Sequence, residues 1–181
     1  MKRLMLLLGA IALLNGCSQK VPEISGNENF GVLAVPMKAE NNTGFPFTEY
    51  FILSSSTNPE FTIRLDPGVG RHFAFSEQVP PGEYVFDTET MYNIPTDRFS
   101  SKTHKESRVL RPAWKVKVEE GTLLIANKKF SVMFQKGDND VYRTSWAINN
   151  LDWNEKRDYA ARLAGLENAD SWRILGQWEQ Y

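Results

Sequence analysis

From Phe30 onward apolar and polar residues alternate with a period of two, the pattern of strands that bury one face. Gly31-Val32-Leu33-Ala34-Val35 is a short apolar run closed by Pro36. A second run, Phe47 to Leu53, ends in Ser54-Ser55-Ser56 and Asn58-Pro59. Phe61, Ile63 and Leu65 alternate with Thr62 and Arg64, and Asp66-Pro67-Gly68 turns the chain toward Phe73 and Phe75. Pro80-Pro81-Gly82 then opens Glu83-Tyr84-Val85-Phe86. Trp114-Lys115-Val116-Lys117-Val118 is apolar on one face and cationic on the other. Glu120-Gly121 predicts a hairpin turn, where glycine takes positive φ without steric cost, and Leu123-Leu124-Ile125 returns. Phe130, Val132 and Phe134 alternate in turn, Gly137-Asp138-Asn139 makes a further turn, and Val141 to Ile148 reads as the last strand. Roughly eight short strands at about 8–12-residue spacing predict a mainly β chain, an antiparallel sandwich or barrel.

Two segments break this rhythm. Residues 88–108 are long, polar and nearly patternless, which predicts a loop. The C-terminus reads as helical: Asp152 with Glu155 three residues on is a capping box, and Gly165 is a natural stop. Trp153, Ala160 and Leu163 fall on one helix face, and a shorter helical turn runs from Asp170 to Leu175, ended by Gly176. Residues 30–150 are thus expected to form the sandwich, with 151–181 packed on it as a helical cap.

Composition narrows the function classes. Five Trp, 6 Tyr and 11 Phe among 181 residues exclude a disordered chain. The single cysteine excludes a disulfide scaffold and a cysteine-ligated zinc site. A formal charge of -1 gives no electrostatic footprint for nucleic acid.

The N-terminus carries the most specific signal. Lys2 and Arg3 precede an apolar run over residues 4–14, within the roughly 7–15 residues of a signal h-region and short of the about 20 needed to span a bilayer. Leu14-Asn15-Gly16-Cys17 resembles the lipobox of bacterial lipoproteins. The resemblance implies cleavage after Gly16, acylation of Cys17 on its sulfur and its new amino terminus, and stable anchoring by two or more acyl chains. Ser18 in place of Asp resembles lipoproteins carried on to the outer membrane, facing the periplasm. Residues 1–16 are then a signal peptide and residues 17–29, polar with Pro22 and Gly26, a lipidated flexible tether.

The segment from Leu65 to Phe86, a strand, a Pro-Gly turn, an aromatic strand and Pro-Pro-Gly-Glu-Tyr, is similar to prealbumin-like or carboxypeptidase-regulatory-like domains. The resemblance covers about a quarter of the chain, implies a prealbumin- or Ig-like antiparallel sandwich and leaves activity open.

Few residues offer chemistry. His72 and His104 are isolated, with no carboxylate at ligand spacing, so no metal site is expected. Ser54-Ser55-Ser56 has the composition of a turn, and no nucleophile elbow is present. Gly68-Val69-Gly70 opens no helix, and Asp138-Asn139-Asp140 lacks the downstream glutamate of a calcium loop; neither implies a cofactor. Trp146, Trp153, Trp172, Trp178 and Tyr181 crowd the last quarter of the chain. Trp172, Trp178 and Tyr181 either form a partner surface or are the buried side of the helical cap. The expected function is a non-catalytic binding or scaffolding module that engages an envelope protein or cell-wall component. Two alternatives are a hydrolase of an envelope polymer and an accessory lipoprotein of a secretion system.

Overall fold

The computed structural model describes residues 19–24, 29–68, 70–93, 104–137 and 142–179. Along the chain run β1 (Val32–Asn41), β2 (Glu49–Ser54), β3 (Thr62–Leu65), β4 (Phe73–Phe75), β5 (Gly82–Asn93), β6 (His104–Val118), β7 (Thr122–Ile125), β8 (Lys128–Lys136), β9 (Tyr142–Asn150), α1 (Trp153–Ala164) and β10 (Arg173–Gly176). The chain is mainly β, as its alternation predicts, with two sheets and one α-helix among the described residues.

The first sheet is antiparallel, in the order β3-β2-β5-β6. The second is mixed, which corrects the expectation of purely antiparallel pairing. Here β1 runs parallel to β7 through Val32–Ala34 and to β8 through Met37–Asn41, and β10 runs parallel to β7. Only β4 against β1 and β9 against β8 are antiparallel. Ala126 N donates to Ala34 O and Asn42 N to Phe134 O, so β7 and β8 follow one another along the same edge of β1.

Burial explains the mixed sheet. Leu33, Val35 and Met37 face the antiparallel sheet, together with Leu124, Phe130 and Val132. Phe51 of β2 meets Phe130 of β8 with ring centroids 4.7 Å apart. On the opposite face Val32, Ala34, Leu123, Ile125 and Phe73 pack under Leu163 of α1, Trp172 and Val21. β1 and β7 are therefore buried on both faces, and their sequences are continuous apolar runs, as is usual for parallel strands covered on two sides. The half-buried reading holds where only one face is covered, as in β3 and in β6 over residues 114–118.

Four further expectations change. Glu120-Gly121 makes no hairpin: β6 belongs to the antiparallel sheet and β7 to the mixed one, so Gly121, at φ +65°, carries the chain from layer to layer. Residues 88–93 and 104–108, expected in a loop, pair with each other as the outer part of the β5–β6 hairpin; residues 94–103 lie outside the described set. The polarity of residues 104–108 reflects their exposure rather than lack of structure, whereas Glu89, Thr90 and Met91 on β5 are buried. The residues after α1 are not all helical: a 3-10 turn at Ala169–Ser171 leads into β10, drawn into the sheet by the free edge of β7. Part of the expected tether is docked as well. Val21 is buried, its N–H donates to Glu167 O at 3.0 Å, and Lys20 pairs with Glu167.

The helix starts as expected, on the Asp152–Glu155 capping box, and stops at Gly165. Leu163 is buried and Ala160 partly so, but Trp153 is 66% exposed.

The mixed sheet is interrupted between β7 and β8, and Gln177 fills the break. Its side chain is 2% exposed. Oε1 accepts from Asn127 N at 3.1 Å and from Trp114 Nε1 at 3.4 Å, while Nε2 donates to Lys115 O at 2.6 Å. One side chain thus joins the C-terminal segment to both sheets. Gln177→Ala leaves the partly buried Asn127 N–H and Lys115 carbonyl without their partner, each worth about 1–3 kcal/mol when unpaired, so we expect a loss of about 2 kcal/mol in urea unfolding. A loss below about 0.5 kcal/mol, the range of neutral surface changes, would show that water replaces the glutamine freely.

Candidate functional site

A concentration of charge lies where α1 crosses the entrance to β4. Gly70, at φ +78°, and a hydrogen bond from Arg71 N to Gly68 O at 3.2 Å turn the chain after β3. Met37 N donates to His72 O at 2.8 Å and fixes the start of β4 against β1. From the other side α1 presents Glu155, Asp158, Tyr159 and Arg162, spaced as one helical face. Together with Lys38 these enclose a cleft of about 270 Å³.

Tyr159 anchors the helix: its hydroxyl donates to Met37 O at 3.1 Å and its ring packs edge-on against Phe73 at 5.6 Å. Burial pushes its phenol above the ordinary 10.0. Glu155 is occupied, pairing with Lys129 and capping Asp152 N. Arg162 Nη1 approaches His72 Nε2 at 3.4 Å. Desolvation, and then the neighbouring guanidinium, hold the imidazole below the ordinary 6.5, so His72 is neutral at pH 7. Arg71 is only loosely matched: it lies 3.8 Å from Asp66, whose oxygens Arg64 Nε already holds at 2.8 and 3.0 Å. No serine, threonine or cysteine lines the cleft among the described residues. It gathers three cationic side chains, Lys38, Arg71 and Arg162, with two carboxylates, Glu155 and Asp158.

The residues singled out in the sequence are dispersed. His72 lines the cleft, whereas His104 opens β6 on the other sheet, opposite Asn93. Ser55 is buried and caps its own turn, accepting from Thr57 N and Asn58 N at 3.2 Å. Trp172 is 7% exposed and donates to Pro22 O at 2.8 Å, so it is committed inside the molecule. Trp178 is half-buried beside Gly176, with Lys156 over its ring at 5.5 Å. Trp146 sits between the sheets, 5.3 Å from Phe51. Cys17, Gly16, Tyr181 and Asp138-Asn139-Asp140 lie outside the described residues.

A second polar group went unread because it falls in the stretch expected to be a loop. Glu89 of β5 is buried between the sheets, and Arg108 Nε donates to its Oε2 at 2.5 Å. Glu89 Oε1 and Trp146 Nε1 are buried without a well-formed hydrogen bond among the described residues, although the indole still favours the ionised carboxylate. Desolvation outweighs both partners and raises the carboxyl above 4.5. The native state therefore holds this proton more tightly than the unfolded chain, and stability falls as pH rises through the window above 4.5. Glu89→Gln retains an acceptor for Arg108, which is partly solvated. We expect the variant to melt higher than the wild type at pH 7, with the gap narrowing toward pH 4. A lower melting temperature at both pH values would show that the ion pair outweighs its desolvation.

Compared with known proteins, the chain matches no protein family and no curated sequence.

Proposed function

We propose that this protein is a lipoprotein anchored through Cys17 on the periplasmic side of the outer membrane, acting by position as a non-catalytic binding or scaffolding module for an envelope protein or cell-wall component. The observation that carries the reading is the closeness of anchor and body. Only Ser18 separates Cys17 from Gln19, and residues 19–22 already pack on the body. A segment free to swing would suit a long-reaching catalyst, whereas this one holds the body close to the lipid with little slack.

We read the body as a prealbumin-like sandwich extended by a helical layer. In support, Tyr84 of the Pro-Pro-Gly-Glu-Tyr step donates its hydroxyl to Pro80 O at 2.6 Å, closing the turn that leads into β5. Sandwich domains use a similar tyrosine corner.

The test is processing and location in cells. The wild type should carry acyl mass on an N-terminal Cys17 and fractionate with the outer membrane, and Cys17→Ala should accumulate as uncleaved precursor. Ser18→Asp should be acylated but retained in the inner membrane, and should fail to complement a deletion. A mature N-terminus other than Cys17 would overturn the anchor, and full complementation by Ser18→Asp would overturn action by position.

A further inference from the structure

We infer that the cleft between β4 and α1 binds the phosphate of a phospholipid headgroup in the leaflet that holds the acyl chains, and so fixes how the body stands on the membrane. The inference rests on the acylation of Cys17 proposed above and adds a site and a ligand class to it.

Reach comes first. Cys17 precedes Gln19 by two residues, which span at most about 7 Å when fully extended. The Gln19 side chain is fastened to the cleft wall: Oε1 accepts from His72 N and Phe73 N at 3.1 Å each, and Nε2 donates to Phe73 O. The headgroup layer on each side of a bilayer is roughly 5–8 Å deep. A cysteine acylated into the leaflet therefore keeps His72 and its neighbours within reach of the lipid phosphates.

Charge selects the ligand. Arg71 and Arg162 approach from opposite walls, both exposed, and Lys38 stands beside them, itself 2.7 Å from Glu40. Two guanidinium groups supply the forked donors that match phosphate oxygens. Of the carboxylates lining the cleft, Glu155 is taken by Lys129 and Asp158 opposes the arginines, while just outside it Asp66 lies 3.8 Å from Arg71 and Glu40 pairs with Lys38. His72 lines the same cleft 3.4 Å from Arg162, and an anion there favours its protonated form and a third donor.

Inorganic phosphate shares this chemistry, so the experiment separates the two sources. Full-length protein purified from membranes is placed in nanodiscs of phosphatidylglycerol or of a phosphate-free galactolipid, and amide hydrogen exchange is followed at residues 70–73 and 158–163. Exchange there should be about tenfold or more slower in phosphatidylglycerol. Arg71→Gln with Arg162→Gln should abolish the difference while leaving the melting temperature close to wild type, because both side chains are exposed. Equal protection in both lipids, or protection that survives the double substitution, would overturn the site. Equal protection by millimolar inorganic phosphate in detergent would assign it to a soluble anion and overturn the headgroup. Intact mass of the same sample keeps the readings apart: absence of acyl chains removes the anchor and this inference together, whereas an acylated protein without lipid dependence removes this inference alone.

Discussion

The parallel pairing of β1 with β7, buried on both faces, is the constraint from which the rest of the architecture follows. A strand near the start of the chain lies against one about ninety positions later, in register from Val32↔Leu123 to Ala34↔Ile125. Long-range parallel pairing closes a large loop before any contact rewards it. Burial on two sides is what offsets that cost: the odd residues of β1 fill the space between the sheets and the even ones sit under α1. Close approach is required where the layers meet. A Cβ on Gly31 would lie 2.4 Å from Val118 Cγ1 and 2.5 Å from Glu119 O, so only glycine fits beside the crossover. Several of the polar groups that this burial traps have individual partners, although Asn127 Oδ1 after β7 has none among the described residues. Ser76 Oγ accepts from Leu33 N at 2.9 Å, Thr122 Oγ1 donates to Glu119 O at 2.7 Å, and Gln177 bridges the gap after β7.

The same constraint joins the two ends of the described chain. Covering the outer face of β1 and β7 takes more than α1, and Val21 and Trp172 complete the layer. Trp172 donates to Pro22 O, and Asn168 Nδ2 donates to Val21 O at 3.2 Å. The N-terminal segment is thereby stitched to the residues after the helix, and Gln19 is carried to the start of β4. The docking of Gln19 and the placing of the charged cleft thus have one structural cause.

Much of the fold is legible in the sequence where one face of a strand meets water. The alternation in Phe61–Leu65 and Trp114–Val118, the Pro-Pro-Gly turn and the Asp152–Glu155 cap are local signals, and the structure uses each locally. Legibility fails where partners are distant. The continuous apolar run of Gly31 to Val35 suits burial on two faces, but nothing nearby identifies β7 as its parallel partner. Arg173–Gly176 has no local strand signal beyond its place at the edge of β7. The polar hairpin of β5 and β6 resembles a loop because both its faces are exposed over residues 104–108. Of the cleft, His72 stands out by residue type, and the spacing of Glu155, Asp158, Tyr159 and Arg162 shows that they share a helix face. Their meeting with Arg71 depends on how α1 crosses the sheet, which no local pattern encodes.

The doubly buried β1–β7 pair is tested most directly by native-state hydrogen exchange on the full-length protein. The amides of residues 32–35 and 123–125 should be the slowest in the molecule, opening only with global unfolding, and they should stay so when the β5–β6 hairpin exchanges by local opening. Slowest exchange in the antiparallel sheet, with β1 and β7 opening at lower free energy, would contradict the account by making the mixed sheet an accessory layer.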